Sequence, residues 1–250
     1  MNGLRRNIAR LFGERDRLFV LAMDHAQGGL VPGLDNAAAL MDALAASPID
    51  GFILNVGFAG RMAEAPFLRK KLILRSSFGG TQIADQFGDV HANHVSPATA
   101  RRLGADAVLM MFSVGGPDFR ALQAAAADID AFHAEEIPVI AEVIAHDFEK
   151  TTKPEVQLNG ARVAAELGAD VVKAFYIDGF DRLVAACPAP VILAGGPKDR
   201  DVVEVARSAL AAGAKGLAFG RNIFQHPHPV EMTATLDALF ATSAGRARSK

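Results

Sequence analysis

The sequence predicts an α/β fold, a single (β/α)8 barrel occupying residues 1–250. Three observations carry this. The length suits one undivided barrel better than two small domains. Eight short apolar runs alternate with segments of helical period, β before α throughout. A near-repeat, Leu103-Gly104-Ala105-Asp106, Leu167-Gly168-Ala169-Asp170 and Ala212-Gly213-Ala214-Lys215, stands just ahead of the fourth, sixth and eighth runs.

The first run, Leu18 to Met23, leads to a helical segment at Asn36 to Ala46. Gly51 to Val56 and Leu72 to Ser76 follow, then a helix over Ala98 to Leu103. The run Ala107 to Ser113 precedes the longest helical stretch, Phe119 to Glu135. Val139 to Ile144 pairs with Gln157 to Leu167, Val171 to Tyr176 with Phe180 to Ala186, and Val191 to Ala194 with Val202 to Ala212; Gly216 to Phe219 is the last run. Strands this continuously apolar belong to a parallel sheet covered on both faces. The glycine of each repeated phrase suits the left-handed turn that ends a helix. A doubly wound open sheet is the competing arrangement, and no low-complexity linker divides the chain.

Composition narrows the function. Half the residues are hydrophobic, yet no run approaches the roughly 20 residues of a membrane-spanning helix. The arginines among Met1 to Arg17 have no long apolar stretch behind them, so the start does not read as a secretory signal and a cytoplasmic protein is expected. Lone Cys187 excludes an internal disulfide framework and reads as a packing residue. With 26 basic and 28 acidic side chains, and no basic stripe interleaved with aromatics, a nucleic-acid partner has no electrostatic support. The basic tail, Arg246, Arg248 and Lys250, reads as a frayed, solvated end.

Barrel active sites lie at the C-terminal ends of the strands, so polar residues there carry most weight. Alternation along the sixth strand puts Lys173 on one face with Val171 and Phe175, where an unpaired ammonium is costly. Burial and neighbouring cations favour a neutral amine, which attacks a carbonyl to form an imine. The plain alternative is an ion pair with Asp24 or Glu142, and strand position does not separate the two. Asp24 and His25 end the first strand, where either can relay protons to a bound carbonyl compound; which one faces inward is undecided. Glu142 is a further acid or base if its face points inward. Arg75-Ser76 ends the third strand, and the fifth runs towards His146.

Two glycine turns, Ala194-Gly195-Gly196-Pro197-Lys198 and Phe219-Gly220-Arg221-Asn222, follow the seventh and eighth strands. Barrels often bind phosphate there through backbone N–H groups and a short helix. Gly195, Gly196 and Gly220 are the expected cradle, with Arg221 or Lys198 supplying charge. His91 with His94, and His226 with His228, lack a nearby third ligand at recognisable spacing, so no metal is expected. No Walker-type loop, dinucleotide fingerprint or nucleophile-elbow serine occurs, and no cofactor is expected.

Met23-Asp24-His25, Val172-Lys173, Ala194-Gly195-Gly196-Pro197-Lys198 and Gly220-Arg221-Asn222-Ile223-Phe224-Gln225 resemble, in order and strand placement, the class I aldolases of the archaeal fructose-bisphosphate aldolase and DeoC/LacD-like group. Arg162 to Lys198 and Gly220 to Val230 look most similar to its autoinducer-2 thiolase (LsrF) branch. The resemblance spans nearly the whole chain. It implies a barrel, a Schiff-base lysine at Lys173, proton transfer at Asp24 and His25, phosphate at the glycine turns, and a homo-oligomer of five or ten subunits. One departure stands out. The archaeal enzymes end their fifth strand with an acid/base tyrosine, and Ile144 occupies that position here. Tyr176, the single tyrosine, lies elsewhere.

The leading expectation is an aldolase acting on a small phosphorylated ketose or ketone through Lys173. Two alternatives compete: a thiolase passing an acyl group from a phosphorylated diketone to coenzyme A, and a non-catalytic barrel that binds a phosphorylated ligand.

Overall fold

The computed structural model describes residues 3–81, 83, 92–195 and 200–247. Eight parallel strands close on themselves: β1 (Leu18–Ala22), β2 (Gly51–Leu54), β3 (Lys71–Arg75), β4 (Ala107–Val114), β5 (Val139–Ala145), β6 (Val171–Ala174), β7 (Val191–Ala194) and β8 (Gly216–Phe219). Because β1 hydrogen-bonds to both β2 and β8, the arrangement is a barrel and the open sheet is excluded. Between and around the strands run α1 (Gly3–Phe12), α2 (Ala37–Leu44), α3 (Val56–Ala59), α4 (Pro97–Arg102), α5 (Phe119–Ala134), α6 (Pro154–Glu166), α7 (Phe180–Ala186), α8 (Val202–Ala211), α9 (Arg221–Phe224) and α10 (Pro229–Ala247). Among the described residues no helix is long and apolar enough to cross a membrane.

Local chemistry sets many boundaries. The Asn36 side chain accepts from Ala39 N–H to open α2, Ser96 accepts from Thr99 N–H ahead of Pro97 to open α4, and Asp201 accepts from Val203 N–H to open α8. At the other end of α4, α6 and α8, Gly104, Gly168 and Gly213 adopt positive φ. The next residue then donates back five positions, Ala105 to Ala100, Ala169 to Ala164 and Ala214 to Ala209, each at 3.0 Å. The repeated phrase is therefore a repeated helix stop.

The strict β-then-α order needs correction in two places. Helix α1 precedes β1, and its Leu11 and Phe12 pack against the innermost strand residues, closing the N-terminal mouth of the barrel. After β3, Ser77–Phe78 pairs antiparallel with Ala92–Asn93 before α4 begins. Three strands are also shorter than the apolar runs suggest, β1 by one residue and β2 and β6 by two each. Val56 already belongs to α3. Beyond Ala174, the Phe175 N–H donates to the Gln157 side chain at 2.9 Å, so β6 ends there. Arg248 and Lys250 of the basic tail lie outside the described residues.

Alternation sorts the strand residues into two layers. Leu18, Val20, Ala22, Ile73, Leu109, Ile140, Val171, Ile192 and Ala218 fill the barrel interior. Their neighbours face the helices in a second, larger cluster. Carried to the C-terminal end, the inward parity delivers Arg75, Glu142 and Lys173 to the barrel mouth.

Candidate active site

At that mouth four charged side chains form a chain of alternating sign. Arg75 donates from Nε to Asp24 at 2.6 Å and from Nη2 to Glu142 at 2.7 Å. The other Glu142 oxygen lies 2.6 Å from Lys173 Nζ. The contact crosses one rung of the sheet, since Glu142 and Lys173 are register partners on β5 and β6. Asp24, Arg75, Glu142 and Lys173 are all buried. Burying any one charge is expensive, but two cations and two carboxylates in contact cancel. Burial pushes the Glu142 carboxyl up, yet Lys173 and Arg75 together overcome it and hold the group at about 2. Burial likewise works against the Arg75 guanidinium, and the two carboxylates outweigh it, raising its pKa above the ordinary value.

His25 sits above this chain. Burial, opposed by Asp24, lowers its pKa and favours the neutral ring. Its Nδ1 is 4.0 Å from Asp24 Oδ1 and has no hydrogen-bond partner among the described residues. The ring meets Phe224 edge-on at 5.1 Å and lies against Gly220, where a Cβ would come within 2.6 Å of Cε1. Only glycine fits there. At Gly195 a Cβ would fall 2.6 Å from the Asn222 side-chain oxygen, which would have to turn aside to admit it. Arg221 is exposed and, among the described residues, forms no ion pair.

Buried Gln157 on α6 braces the site from behind. Its Nε2 donates to the carbonyls of Thr151 and Val143 at 2.7 and 3.1 Å, and its Oε1 accepts from Phe175 N–H. One amide thereby ties the loop after β5 to the end of β6, two residues past Lys173. Residue type gave no hint of this, because only packing brings Gln157 beneath both strands.

The structure thus gathers Asp24, His25, Glu142, Lys173, Gly195, Gly220 and Arg221 around one cleft at the C-terminal mouth. Asp24 is the buried, ion-paired member of the first-strand pair, and His25 is the partly exposed one. Gly196 and Lys198 lie outside the described residues, as does His91. Ile144 lines the cleft where the family tyrosine is expected. Tyr176 stacks instead on Phe180, 5.4 Å away. His146 packs beside Gly116 and is not part of the lining. His226 and His228 face each other at 6.3 Å. Among the described residues no three His, Cys, Asp or Glu side chains gather as metal ligands do. Arg75 is the member of the charge chain that the sequence left without a role, although the alternation that flagged Lys173 places it inward with Ile73.

The DeoC/LacD family aldolase model matches residues 16–226, most of the barrel with every one of these side chains. The chain belongs to the DeoC/LacD aldolase family. Among curated relatives, this DeoC/LacD aldolase is 29% identical over 245 residues to a 2-amino-4,5-dihydroxy-6-oxo-7-(phosphonooxy)heptanoate synthase of Streptomyces griseus, covering 94% of this chain and 89% of the relative. It is 30% identical over 239 residues to a 2-amino-3,7-dideoxy-D-threo-hept-6-ulosonate synthase of Archaeoglobus fulgidus, covering 94% and 90%. A 3-hydroxy-5-phosphonooxypentane-2,4-dione thiolase of Escherichia coli is 29% identical over 247 residues, covering 95% and 82%. Among solved structures, an archaeal fructose-1,6-bisphosphate aldolase with its catalytic lysine bound to the carbinolamine intermediate superposes with a TM-score of 0.83 at 25% identity, covering 95% of this chain and 99% of that one. The protein is an enzyme of the Schiff-base, class I aldolase type.

Proposed function

We propose that Lys173 forms the imine and that the enzyme makes or breaks a carbon–carbon bond in a small phosphorylated ketose or ketone. The observation that carries this is the Lys173–Glu142 contact on the barrel floor, at the end of the cleft. An ion pair and a Schiff base do not compete here. Ammonium plus ketone gives iminium plus water, so the positive charge beside Glu142 is the same before and after. The carboxylate steadies both states, and Lys173 need only part with its proton while the carbinolamine forms.

In cleavage, a base takes the proton of the hydroxyl on the carbon β to the imine. The carbon–carbon bond breaks, its electron pair moves onto the iminium nitrogen as an enamine, and an aldehyde departs. Protonation and hydrolysis then release the ketone. Glu142, held strongly ionised, is a poor base and acts through charge. His25, kept neutral by burial and standing 4.0 Å from the Asp24 carboxylate, is the proton acceptor. Gly195, Gly220 and Arg221 hold the phosphate, since the glycines open the wall and Arg221 is the cleft cation without a carboxylate. The phosphorylated compounds in the relatives' names agree with this.

Borohydride reduction in the presence of dihydroxyacetone phosphate tests the reading: a stable adduct is expected on Lys173 by peptide mapping and none in Lys173→Met. Folded protein that binds phosphate and yields no adduct with any ketose phosphate refutes it. The E. coli relative supports a second reading, in which the same imine assists acyl transfer to coenzyme A; coenzyme A-dependent product from a phosphorylated diketone marks it. The family resemblance further supports a cytoplasmic homo-oligomer, up to a decamer, of a chain working as one domain throughout.

A further inference from the structure

Around a closed barrel of eight strands, β8 faces β4 and β7 faces β3, with β6 between the two sides. The residues assigned to phosphate follow β7 and β8. On the far side, the cleft is lined by Met111 of β4, Ile144 of β5 and Phe148 just beyond β5. These are apolar, and Phe148 is half exposed at the rim. The floor between the two sides is the charge chain, where both carboxylates already occupy Arg75 and Lys173.

Among the described residues, Arg221 is therefore the one fully cationic side chain of the lining that no carboxylate neutralises. After β5, Lys150 is exposed, pairs with Asp147 at 2.9 Å and is not part of the lining. A second phosphate reaching towards β4 and β5 would meet Met111, Ile144 and Phe148 and the neutral Gln27 amide beside Met111, losing its hydration with no free cation of the described lining to replace it.

We infer that the site takes one phosphate only, and that the part of the substrate beyond the imine carbon is uncharged and apolar: the aldehyde partner is a short unphosphorylated aldehyde, and bisphosphates are excluded. Ile144, Met111 and Phe148 set this preference. A substrate anchored by phosphate at β7–β8 and joined to Lys173 on β6 extends its free end onto them. The inference rests on reading the β7–β8 side as the phosphate site, but its test does not depend on imine chemistry.

Calorimetric titration with methyl, ethyl, butyl and hexyl phosphate and with 1,6-hexanediol bisphosphate decides it. Affinity is expected to rise by up to about fourfold for each methylene that reaches the apolar wall. The bisphosphate should bind at least about tenfold more weakly than hexyl phosphate, since its second charge is dehydrated without a partner. Ile144→Ser should flatten the series, and Phe148→Ser, changed at a half-exposed position, should do so without endangering the fold. Ile144→Lys should turn the preference towards the bisphosphate. A flat series in the unaltered protein, or a bisphosphate that binds as tightly as hexyl phosphate, overturns the inference. If methyl phosphate itself does not bind, or binds equally well to Arg221→Ala, the phosphate assignment has failed and the substrate class argued from it falls as well. With dihydroxyacetone phosphate as donor, butanal should be condensed with a higher kcat/KM than glyceraldehyde 3-phosphate; the reverse order also overturns it.

Discussion

The two ends of the barrel use carboxylates in opposite ways. At the N-terminal end, Asp50, Asp106 and Asp170 each stand immediately before an even-numbered strand, and each accepts the backbone N–H of a residue on the preceding odd one: Phe19 at 2.7 Å, Leu72 at 2.8 Å and Val139 at 2.8 Å. Lys215 holds the corresponding place before β8 and pairs with Asp16 instead. At the C-terminal end, Asp24 and Glu142 meet full cations. Asp106 has only an N–H dipole and the more distant Lys71 to set against partial burial, so its pKa is raised. Glu142 has Lys173 and Arg75 in contact, and the same opposing force loses, leaving its carboxyl at about 2. Dipoles close a fold at modest cost; only paired charges keep a deeply buried carboxylate ionised.

Removing the cation at the centre of the upper chain is the most severe way to break this contrast. Arg75→Met leaves two buried carboxylates sharing one lysine, so a loss of about 3–5 kcal/mol in stability is expected from chemical denaturation. The borohydride adduct on Lys173 should fall with it. Arg75→Lys should recover part of the stability, because one ammonium keeps the charge but not the fork that spans both carboxylates. Full stability and full trapping in Arg75→Met would show that the four charges do not act as a unit.

A carboxylate at the opposite end should matter less, and only to the fold. Asp170→Ala removes the acceptor for Val139 N–H and the partner of His133, which lies 2.8 Å away. The expected cost is about 1–3 kcal/mol, a drop of several degrees in Tm, with borohydride trapping on Lys173 unchanged. Impaired trapping in the folded variant would mean that the two ends are coupled.

The smallest expected effect is a difference in sign with pH. Glu142 is held below its ordinary 4.5, so the stability it contributes is fully present above pH 4.5 and drains away as the pH falls towards about 2. Asp106 is raised above 3.8, so the folded state takes up its proton first and gains stability as the pH falls towards 3.8. In acid titrations followed by denaturation, Glu142→Gln should flatten the loss below pH 4.5, whereas Asp106→Asn should remove a small gain at milder acidity. Two variants that bend the curve in the same direction would sink the comparison.

Much of this contrast was legible in the chain. The phrases ending in Asp106 and Asp170 marked helix stops, and the structure adds that their last residues clasp a neighbouring strand. Lys173 stood out because a cation on the inward parity of an apolar strand demands a partner. The same argument holds for Arg75, whose neighbour Ile73 shares its face, but an arginine at a strand end reads equally well as solvated until its partners are known. Asp24 and His25 follow the same parity after all: Leu18, Val20 and Ala22 face inward, the Met23 N–H still donates to the Ile53 carbonyl at 2.9 Å, and Asp24 continues that register into the barrel.

By itself, then, the sequence determined the alternation of strands and helices, their stops, the glycine turns after the last two strands and the lysine that must not be alone. These follow from patterns within a few residues of one another. Only the tertiary structure decided that Asp24, Arg75, Glu142 and Lys173 form one neutral chain, that Gln157 braces β6, and that an apolar wall faces the glycine turns after β7 and β8. Those contacts join residues up to 67 positions apart within a single hydrogen bond, and no local pattern encodes a partner that barrel closure alone brings into reach.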